Sequence, residues 1–121
     1  MLSRRVTGRR GEELAAEHLR KAGYKIVERN VRSRYGEIDI VADDHGCLVF
    51  VEVRTMKSQA MHPEESVSRM KKRRMADLGL RYLQGHGRES AEWRLDVIAI
   101  ELTDDGQVAR FEHYQNAVEW S

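Results

Sequence analysis

The spacing of hydrophobic residues changes several times along the chain, and each change predicts a secondary-structure element. Over residues 8–22 apolar positions recur at helical spacing, and Gly23 supplies a stop signal, so a first helix is expected there. Three runs rich in Val, Ile and Phe follow, at residues 24–32, 37–42 and 47–54. Because turn-prone residues separate these runs, they predict three consecutive strands.

The second half of the chain repeats the order of helix and strand. Pro63, followed by two acids, predicts the first turn of a second helix that runs to about Leu83, with glycines shortly after it. A strand is expected at residues 93–102, a short strand from Val108, and a closing helical turn after Tyr114. This order predicts an α/β fold with a mixed central sheet flanked by helices.

Length and composition indicate a single domain. A chain of 121 residues, 40% hydrophobic and 34% charged, fits one core, so residues 1–121 are expected to form one domain. The longest apolar run, residues 47–51, is too short to span a membrane, and the N-terminus leads into charge. We therefore expect a cytoplasmic protein without a membrane partner.

Charges are sorted along the chain although the net charge is only +1. Residues 1–34 carry ten Lys/Arg against four Asp/Glu, and residues 54–81 carry eight against three. Between them, residues 35–53 hold five acids and no base. Basic blocks such as residues 71–74 suit a polyanion, and a short acidic strip suits a cation. The alternative is that residues 71–74 are only the solvated side of a helix.

The hairpin of the second and third strands brings acids together. If residues 43–46 form the turn, Glu37 lies opposite Glu52, and Asp39 is a diagonal neighbour of Glu52. Diagonal side chains are roughly 7 to 8 Å apart, a gap that two carboxylates can close around one cation. Arg54 lies on the same face. The opposite face is predicted to be core, with Ile38, Ile40, Ala42, Cys47, Val49, Val51 and Val53.

Three acids this close require a positive partner, because like charges on neighbouring strands destabilise a sheet. One interpretation is a buried ionic cluster with Arg34, Arg54 or Arg94. The other is a divalent metal, and spacing leaves both open. Oxygen ligands with waters would suit Mg²⁺ or Mn²⁺ rather than zinc.

The acidic residues stand in a recognisable pattern. Residues 36–42 read Gly-Glu-Ile-Asp-Ile-Val-Ala and residues 49–54 read Val-Phe-Val-Glu-Val-Arg, which resembles the Asp…Glu-x-Lys core of the PD-(D/E)xK, or restriction-endonuclease-like, nucleases. Over about residues 8–118 the chain resembles the bacterial YraN-type family, which is similar to archaeal Holliday-junction resolvases. Further shared residues are Gly11, Glu12, Ala15, Pro63, Glu64, Val67, Lys71, Arg94, Leu95, Asp96 and Val97.

The resemblance implies a restriction-endonuclease-like fold and a Mg²⁺- or Mn²⁺-dependent endonuclease that hydrolyses phosphodiester bonds in DNA, including branched or junction DNA. It assigns the metal to Asp39 and Glu52, with the backbone carbonyl of Val53 as a further ligand. It assigns to Glu12 the helix-borne acid that completes the site. Glu12, Asp39, Glu52 and Arg54 are the expected catalytic residues. Resolvases act as dimers, so a homodimer is an option.

Arg54 departs from the motif, which has lysine at this position. Lysine can help to deprotonate water, whereas arginine stays protonated and can only hold a phosphate or stabilise charge. Lys57 or Lys71 could supply a lysine from elsewhere, metal-bound hydroxide could suffice, or the protein could bind without cutting. The alternative function is therefore a non-catalytic nucleic-acid-binding module or an adaptor that kept the nuclease fold.

Basic side chains are the expected contacts to nucleic acid. Lys71, Lys57, Arg74 and Arg10 are expected to hold phosphates with a salt-dependent affinity. Asp96, by contrast, shares a strand face with Arg94 and is expected to be a structural partner of that arginine, outside the metal site.

Overall fold

The structure is a computed structural model that describes residues 4–58 and 67–117, with side chains from Val6 onward. It contains two helices and five strands in these residues. In chain order they are α1 (Arg4–Lys21), β1 (Lys25–Ser33), β2 (Gly36–Asp44), β3 (Cys47–Lys57), α2 (Arg69–Gly85), β4 (Trp93–Leu102) and β5 (Val108–Tyr114).

The strands form one sheet in the order β1-β2-β3-β4-β5. Strands β3 and β4 are parallel and the other neighbours are antiparallel, so the sheet is mixed. The parallel pair requires a crossover, which contains α2. The prediction of a mixed α/β sheet flanked by helices is confirmed, and the arrangement is consistent with a restriction-endonuclease-like fold. No described helix is both long and apolar enough to cross a membrane.

Both faces of the central strands are apolar because a helix covers each face. The cluster under α1 contains Ala15, Ala16, Leu19, Tyr24, Ile40, Ala42, Val49, Val51, Ile98, Ile100 and Leu102. The cluster under α2 contains Ile38, Val41, Leu48, Phe50, Val67, Met75, Leu78, Tyr82, Leu83, Leu95, Val97 and Ala117. The predicted core face is confirmed for Ile40, Ala42, Val49 and Val51, with Val53 partly buried against them. Cys47 is half-buried and lies in neither cluster, and Ile38 packs under α2 together with its β1 partner Val31.

The start of α2 differs from the prediction. The helix begins at Arg69, and Ser68 before it has an extended backbone with φ −74 and ψ 166. The Ser68 hydroxyl accepts a hydrogen bond from the Lys71 backbone N–H at 3.1 Å, so Ser68 is an N-cap that satisfies a free donor of the first turn. Pro63, where the helix was expected to begin, lies outside the described residues.

The register of β2 and β3 is shifted by two residues from the predicted one. The loop is His45-Gly46 alone, both with positive φ, and Asp44 pairs with Cys47. Positive φ at both loop residues is typical of a type I′ turn, which matches the twist of the strands. Because the shift is even, residues 40–42 and 48–51 keep their predicted faces. The last registered pair is Ile40 with Val51, and Asp39 and Glu52 are the next residues of the two strands.

Two glycines allow the helices to approach the sheet closely. A Cβ on Gly11 of α1 would lie 2.8 Å from Cβ of Thr55 in β3. A Cβ on Gly79 of α2 would lie 2.7 Å from Cδ2 of Phe50 on the other face. Real side chains do not approach this closely, so larger residues would push each helix away from β3.

Replacing Gly11 with alanine is therefore expected to destabilise the fold. The added methyl group meets Thr55, and overpacking of this kind costs about 1 to 3 kcal/mol. Gly8→Ala in the same helix is the control, because nothing lies within 4 Å of its new Cβ. At position 8 the higher helix propensity of alanine should stabilise the protein by roughly 0.5 to 1 kcal/mol. Urea unfolding of both variants measures the difference, and equal effects would contradict the close approach.

Candidate active site

A cavity of about 540 Å³ opens between α2 and the ends of β2 and β3 that lie away from their turn. It receives acids from the sheet and bases from the helix and from β3. Its lining consists of Tyr35, Gly36, Glu37, Asp39, Glu52, Val53, Arg54, Ser68, Met70, Lys71, Arg74, Met75 and Leu78. The structure therefore brings together four sequence-predicted site residues beside Asp39: Glu52, Arg54, Lys71 and Arg74.

Asp39 and Glu52 form a carboxyl pair in this cavity. The Glu52 side chain is only 10% exposed, and Asp39 Oδ2 accepts a hydrogen bond from the Val53 backbone N–H at 2.8 Å. Burial, and then repulsion by and hydrogen bonding with Glu52, raise the pKa of Asp39 to about 9. Without a cation beside it, Asp39 therefore keeps its proton at neutral pH.

Two basic side chains reach the same oxygen of Glu52. Lys71 Nζ lies 3.3 Å from Glu52 Oε2, and Arg54 Nε lies 3.5 Å from it. Lys71 comes from the first turn of α2, which Ser68 caps, and Arg54 follows Glu52 on β3. The counter-charge expected from sequence is thus supplied by Arg54 and by Lys71.

Asn30 connects the helix-borne acid to the rim of the cavity. Its amide nitrogen, oriented toward the carboxylates, donates to Glu12 Oε1 and to Glu37 Oε1, each at 2.9 Å. Asn30 has φ 53 within β1, a left-handed conformation that asparagine adopts more readily than most residues. Burial and the nearby Glu37 raise the pKa of Glu12.

The contact of Asn30 with the two carboxylates was not predicted from the sequence. The available signal was an asparagine inside a strand-like run, where this residue is disfavoured. Its two carboxylate partners, however, come from α1 and β2, and only the packing of α1 on the sheet brings them together.

The donor set can be compared with a metal site. In residues 4–58 and 67–117 no three His, Cys, Asp or Glu side chains converge as a metal-binding group. Glu12 also bonds Asn30, so joint ligation by Glu12, Asp39 and Glu52 stays a prediction. The pair of carboxylates alone does fit a hard divalent cation, because it offers oxygen ligands and the raised pKa of Asp39 marks where positive charge is needed.

Two predicted nucleic-acid contacts lie away from this cavity. Arg10 Nε donates to the Gly106 carbonyl at 2.7 Å, and Arg10 belongs to α1 on the other face of the sheet. Lys57 is the last residue of β3, and its backbone lies beside that of Leu102 in β4. Neither side chain is among the described residues that line the cavity.

Asp96 has the structural role expected of it. Its side chain is fully buried and contacts Arg94 Nε at 3.0 Å and His113 Nε2 at 2.8 Å. Arg94 also pairs with Asp44 at 3.1 Å. This network ties β4 to β5 and to β2, and Arg94 therefore takes no part in neutralising the carboxyl pair.

Fold and site together define a mixed α/β protein with a carboxyl pair in a cavity that also contains basic side chains. The chain belongs to the family described as "Uncharacterised protein family UPF0102", whose model matches residues 11–100; this confirms the YraN-type resemblance at the level of the family. It is 47% identical to a UPF0102 protein of Symbiobacterium thermophilum, over 96% of this chain and 98% of the relative. A UPF0102 protein of Pelotomaculum thermopropionicum is 41% identical over 95% and 97%. One of Persephonella marina is 44% identical over 78% and 83%.

The raised pKa of Asp39 predicts how stability depends on pH in the absence of metal. Between about pH 4, where an unfolded aspartate titrates, and about pH 9, where folded Asp39 does, the folded state binds one extra proton. The free energy of unfolding should therefore fall as pH rises, by up to about 1.4 kcal/mol per pH unit.

Asp39→Asn is the matched control for this pH dependence. Its amide keeps both hydrogen bonds, accepting from Val53 and donating to Glu52, but does not titrate. Urea unfolding in EDTA at about pH 6, 7 and 8 should show the variant gaining stability over the wild type as pH rises. If the free energies of unfolding of the variant and the wild type changed in parallel with pH, the result would contradict a proton held by Asp39.

Proposed function

We propose that this protein is a metal-dependent endonuclease that hydrolyses phosphodiester bonds in DNA. The observation that carries the proposal is the pair of Asp39 and Glu52 in the wall of a cavity whose other charged side chains, among the described residues and apart from Glu37, are basic. A phosphodiester is an anion, and two bare carboxylates would repel it. The pair is compatible with a phosphate only when a cation lies between them.

Asp39 and Glu52 would hold Mg²⁺ or Mn²⁺, with the carbonyl of Val53 as a further oxygen ligand. Such an ion, when bound, stabilises charge on the phosphate and lowers the pKa of an attacking water. The Val53 N–H bond to Asp39 fixes the orientation of that carboxylate. Glu12 acts from α1 through Asn30 and Glu37, which orders the acidic side of the cavity.

Lys71 supports the proposal because it supplies a lysine in a site where this chain has Arg54 at the position of the motif lysine. It is the lysine that lines the cavity among the residues the structure describes, and its Nζ lies 3.3 Å from Glu52. A lysine amine can exchange a proton with water, whereas the Arg54 guanidinium stays charged. We assign the proton-transfer role to Lys71 and phosphate binding to Arg54 and Arg74.

Arg54 also has a donor available for a phosphate. Its Nε is buried and makes no hydrogen bond to the described residues, although it lies at ion-pair distance from Glu52. Buried donors are nearly always satisfied, so an unmatched donor beside a cavity suits an anionic ligand. A phosphate oxygen would satisfy it.

The second candidate is a nucleic-acid-binding module that does not cut, and Arg54 at the motif position favours it. In this case the cations would hold phosphates while the carboxyl pair stays protonated or paired with Lys71. Both candidates predict binding to DNA, but only the first predicts hydrolysis. An adaptor for another protein predicts neither.

Cleavage assays distinguish these candidates. Linear, flapped, four-way and single-stranded DNA would be incubated with Mg²⁺ or Mn²⁺ and the wild type, Asp39→Asn or Glu52→Gln. Each substitution removes a metal ligand while retaining shape, so cleavage is expected to fall at least about 100-fold. Glu112→Gln, an exposed acid on the edge strand β5, should cut normally.

The possible outcomes separate the two proposals. Cutting that persists in both Asp39→Asn and Glu52→Gln would show a contaminating nuclease and remove the assignment. Binding without cutting in any sample would select the module. A preference for four-way DNA, together with a dimer in solution, would support a resolvase-like activity on a two-fold junction.

Lys71 can be tested separately from general electrostatic attraction. Lys71→Gln should lower the cleavage rate at saturating DNA by about 10- to 100-fold, because it removes the proton-transfer group. Arg73→Gln is the matched control, since Arg73 is exposed on the same helix and outside the cavity lining. It should change only affinity and its salt dependence. Equal rates for the two variants at saturation would contradict the role of Lys71.

A further inference from the structure

A second cavity, of about 280 Å³, lies directly beside the first. The two share Tyr35 and Leu78 in their linings. The second cavity is lined by Val31, Ser33, Tyr35, Ile38, Leu78, Arg81, Tyr82, Gly85 and His86. Its volume is close to the lower end of the roughly 300 to 1,000 Å³ typical of small-molecule pockets, so a single planar ring system is a suitable occupant.

The chemistry of this second cavity differs from that of the first. Ile38, Leu78 and Tyr82 are buried and give it an apolar base, and no described lining residue is acidic. The rings of Tyr82 and His86 stack with centroids 4.0 Å apart and an interplanar angle of 24°. The lining is therefore apolar and aromatic, where the first cavity is charged.

Tyr35 separates the two cavities. It lies in the tight turn between β1 and β2 and is 49% exposed, although it is large and aromatic. The guanidinium of Arg81 lies 3.8 Å from its ring centroid, and that of Arg34 lies 5.1 Å away. An aromatic ring with stacked guanidinium groups is a surface on which nucleobases stack, while the positive charges attract the phosphates of the same strand.

We propose that the second cavity binds an unpaired nucleobase of the strand whose phosphate lies in the first cavity. The inference rests on the proposed function and names its substrate class. The shared residues Tyr35 and Leu78 make the cavities adjacent, as a base and its neighbouring phosphate are. A strand that passes from one cavity to the other meets Lys71 and Arg74 at the first and Arg81 at the second. The Arg81 guanidinium also pairs with Asp77 at 3.0 Å.

A regular duplex does not offer such a base. Bases within B-form DNA are stacked and paired, and extruding one is unfavourable, least so where the base is already unpaired. The substrate is therefore a nucleic acid with at least one unpaired nucleotide next to the target phosphate, such as a single strand, a flap or a branch point.

An abasic-site scan tests the proposal with the full-length chain. Fluorescence anisotropy with Ca²⁺, a cation that takes oxygen ligands, in place of Mg²⁺ or Mn²⁺ would measure the binding of single-stranded oligonucleotides that carry one abasic residue at successive positions. At one position the loss of the base should weaken binding by about 5- to 100-fold, the range expected for one stacked base. A 2-aminopurine at that position should lose fluorescence on binding, because stacking quenches it.

Variants of Tyr35, combined with the intact and the abasic strands, form a double-mutant cycle between protein and substrate. Tyr35→Ala should weaken binding to the intact strand and make it insensitive to the abasic residue, whereas Tyr35→Phe should retain both properties. Val108→Ala, another exposed apolar residue at 44% exposure, is the control and should bind like the wild type. Since Tyr35 is half exposed, thermal unfolding should show the variants folded.

The outcomes separate this inference from the proposed function. Tight binding with no abasic-sensitive position and no 2-aminopurine response would overturn the base pocket and leave the nuclease proposal standing, as would regular duplex bound as tightly as single strands. Absence of affinity for every nucleic acid would overturn the proposed function and this inference with it.

Discussion

The structure depends on one electrostatic constraint, the placement of two carboxyl groups beside each other in the wall of a cavity. Asp39 and Glu52 come from the neighbouring strands β2 and β3, and burial together with repulsion by Glu52 raises the pKa of Asp39, so that both groups ionise only with a positive partner. The surrounding elements supply the positive charge that the two carboxyl groups require. Lys71 and Arg54 bring positive charge to Glu52 from α2 and β3. A backbone N–H brings a partial positive charge to Asp39.

The close approach of both helices makes this arrangement possible. Gly11 lets α1 pack against β3 near Thr55, and the next residue, Glu12, is thereby within reach of Asn30. Gly79 lets α2 pack against Phe50 on the other face. A sheet covered on both sides surrounds the carboxyl pair with protein except where it lines the cavity, and the lower local dielectric strengthens the interactions around it. The packing that stabilises the fold therefore also sets the chemistry of the site.

Sequence patterns predicted the fold class and the acidic pair because both depend on local periodicity. Strand runs and one apolar helix face determine which elements form, and an even shift of register does not change which face a side chain occupies. The register itself was wrong because the turn is only His45-Gly46. Asp43 accepts a hydrogen bond from the Gly46 N–H at 2.7 Å, a contact that the pattern does not contain. The roles of Asn30 and Tyr35 depend on tertiary neighbours, so spacing along the chain could not predict them.

The exchange of lysine for arginine at position 54 illustrates why a motif must be read in three dimensions. In a linear comparison the lysine appears lost, and with it the titratable amine. In space, Lys71 Nζ and Arg54 Nε approach the same oxygen of Glu52, at 3.3 and 3.5 Å. The site thus combines a group that can exchange a proton with one that stays charged. For the proposed hydrolysis this division is an advantage, since a permanent cation can hold the phosphate while the amine exchanges a proton with the attacking water. The proposed hydrolysis would need an amine at a position in space, and α2 supplies one there as β3 would.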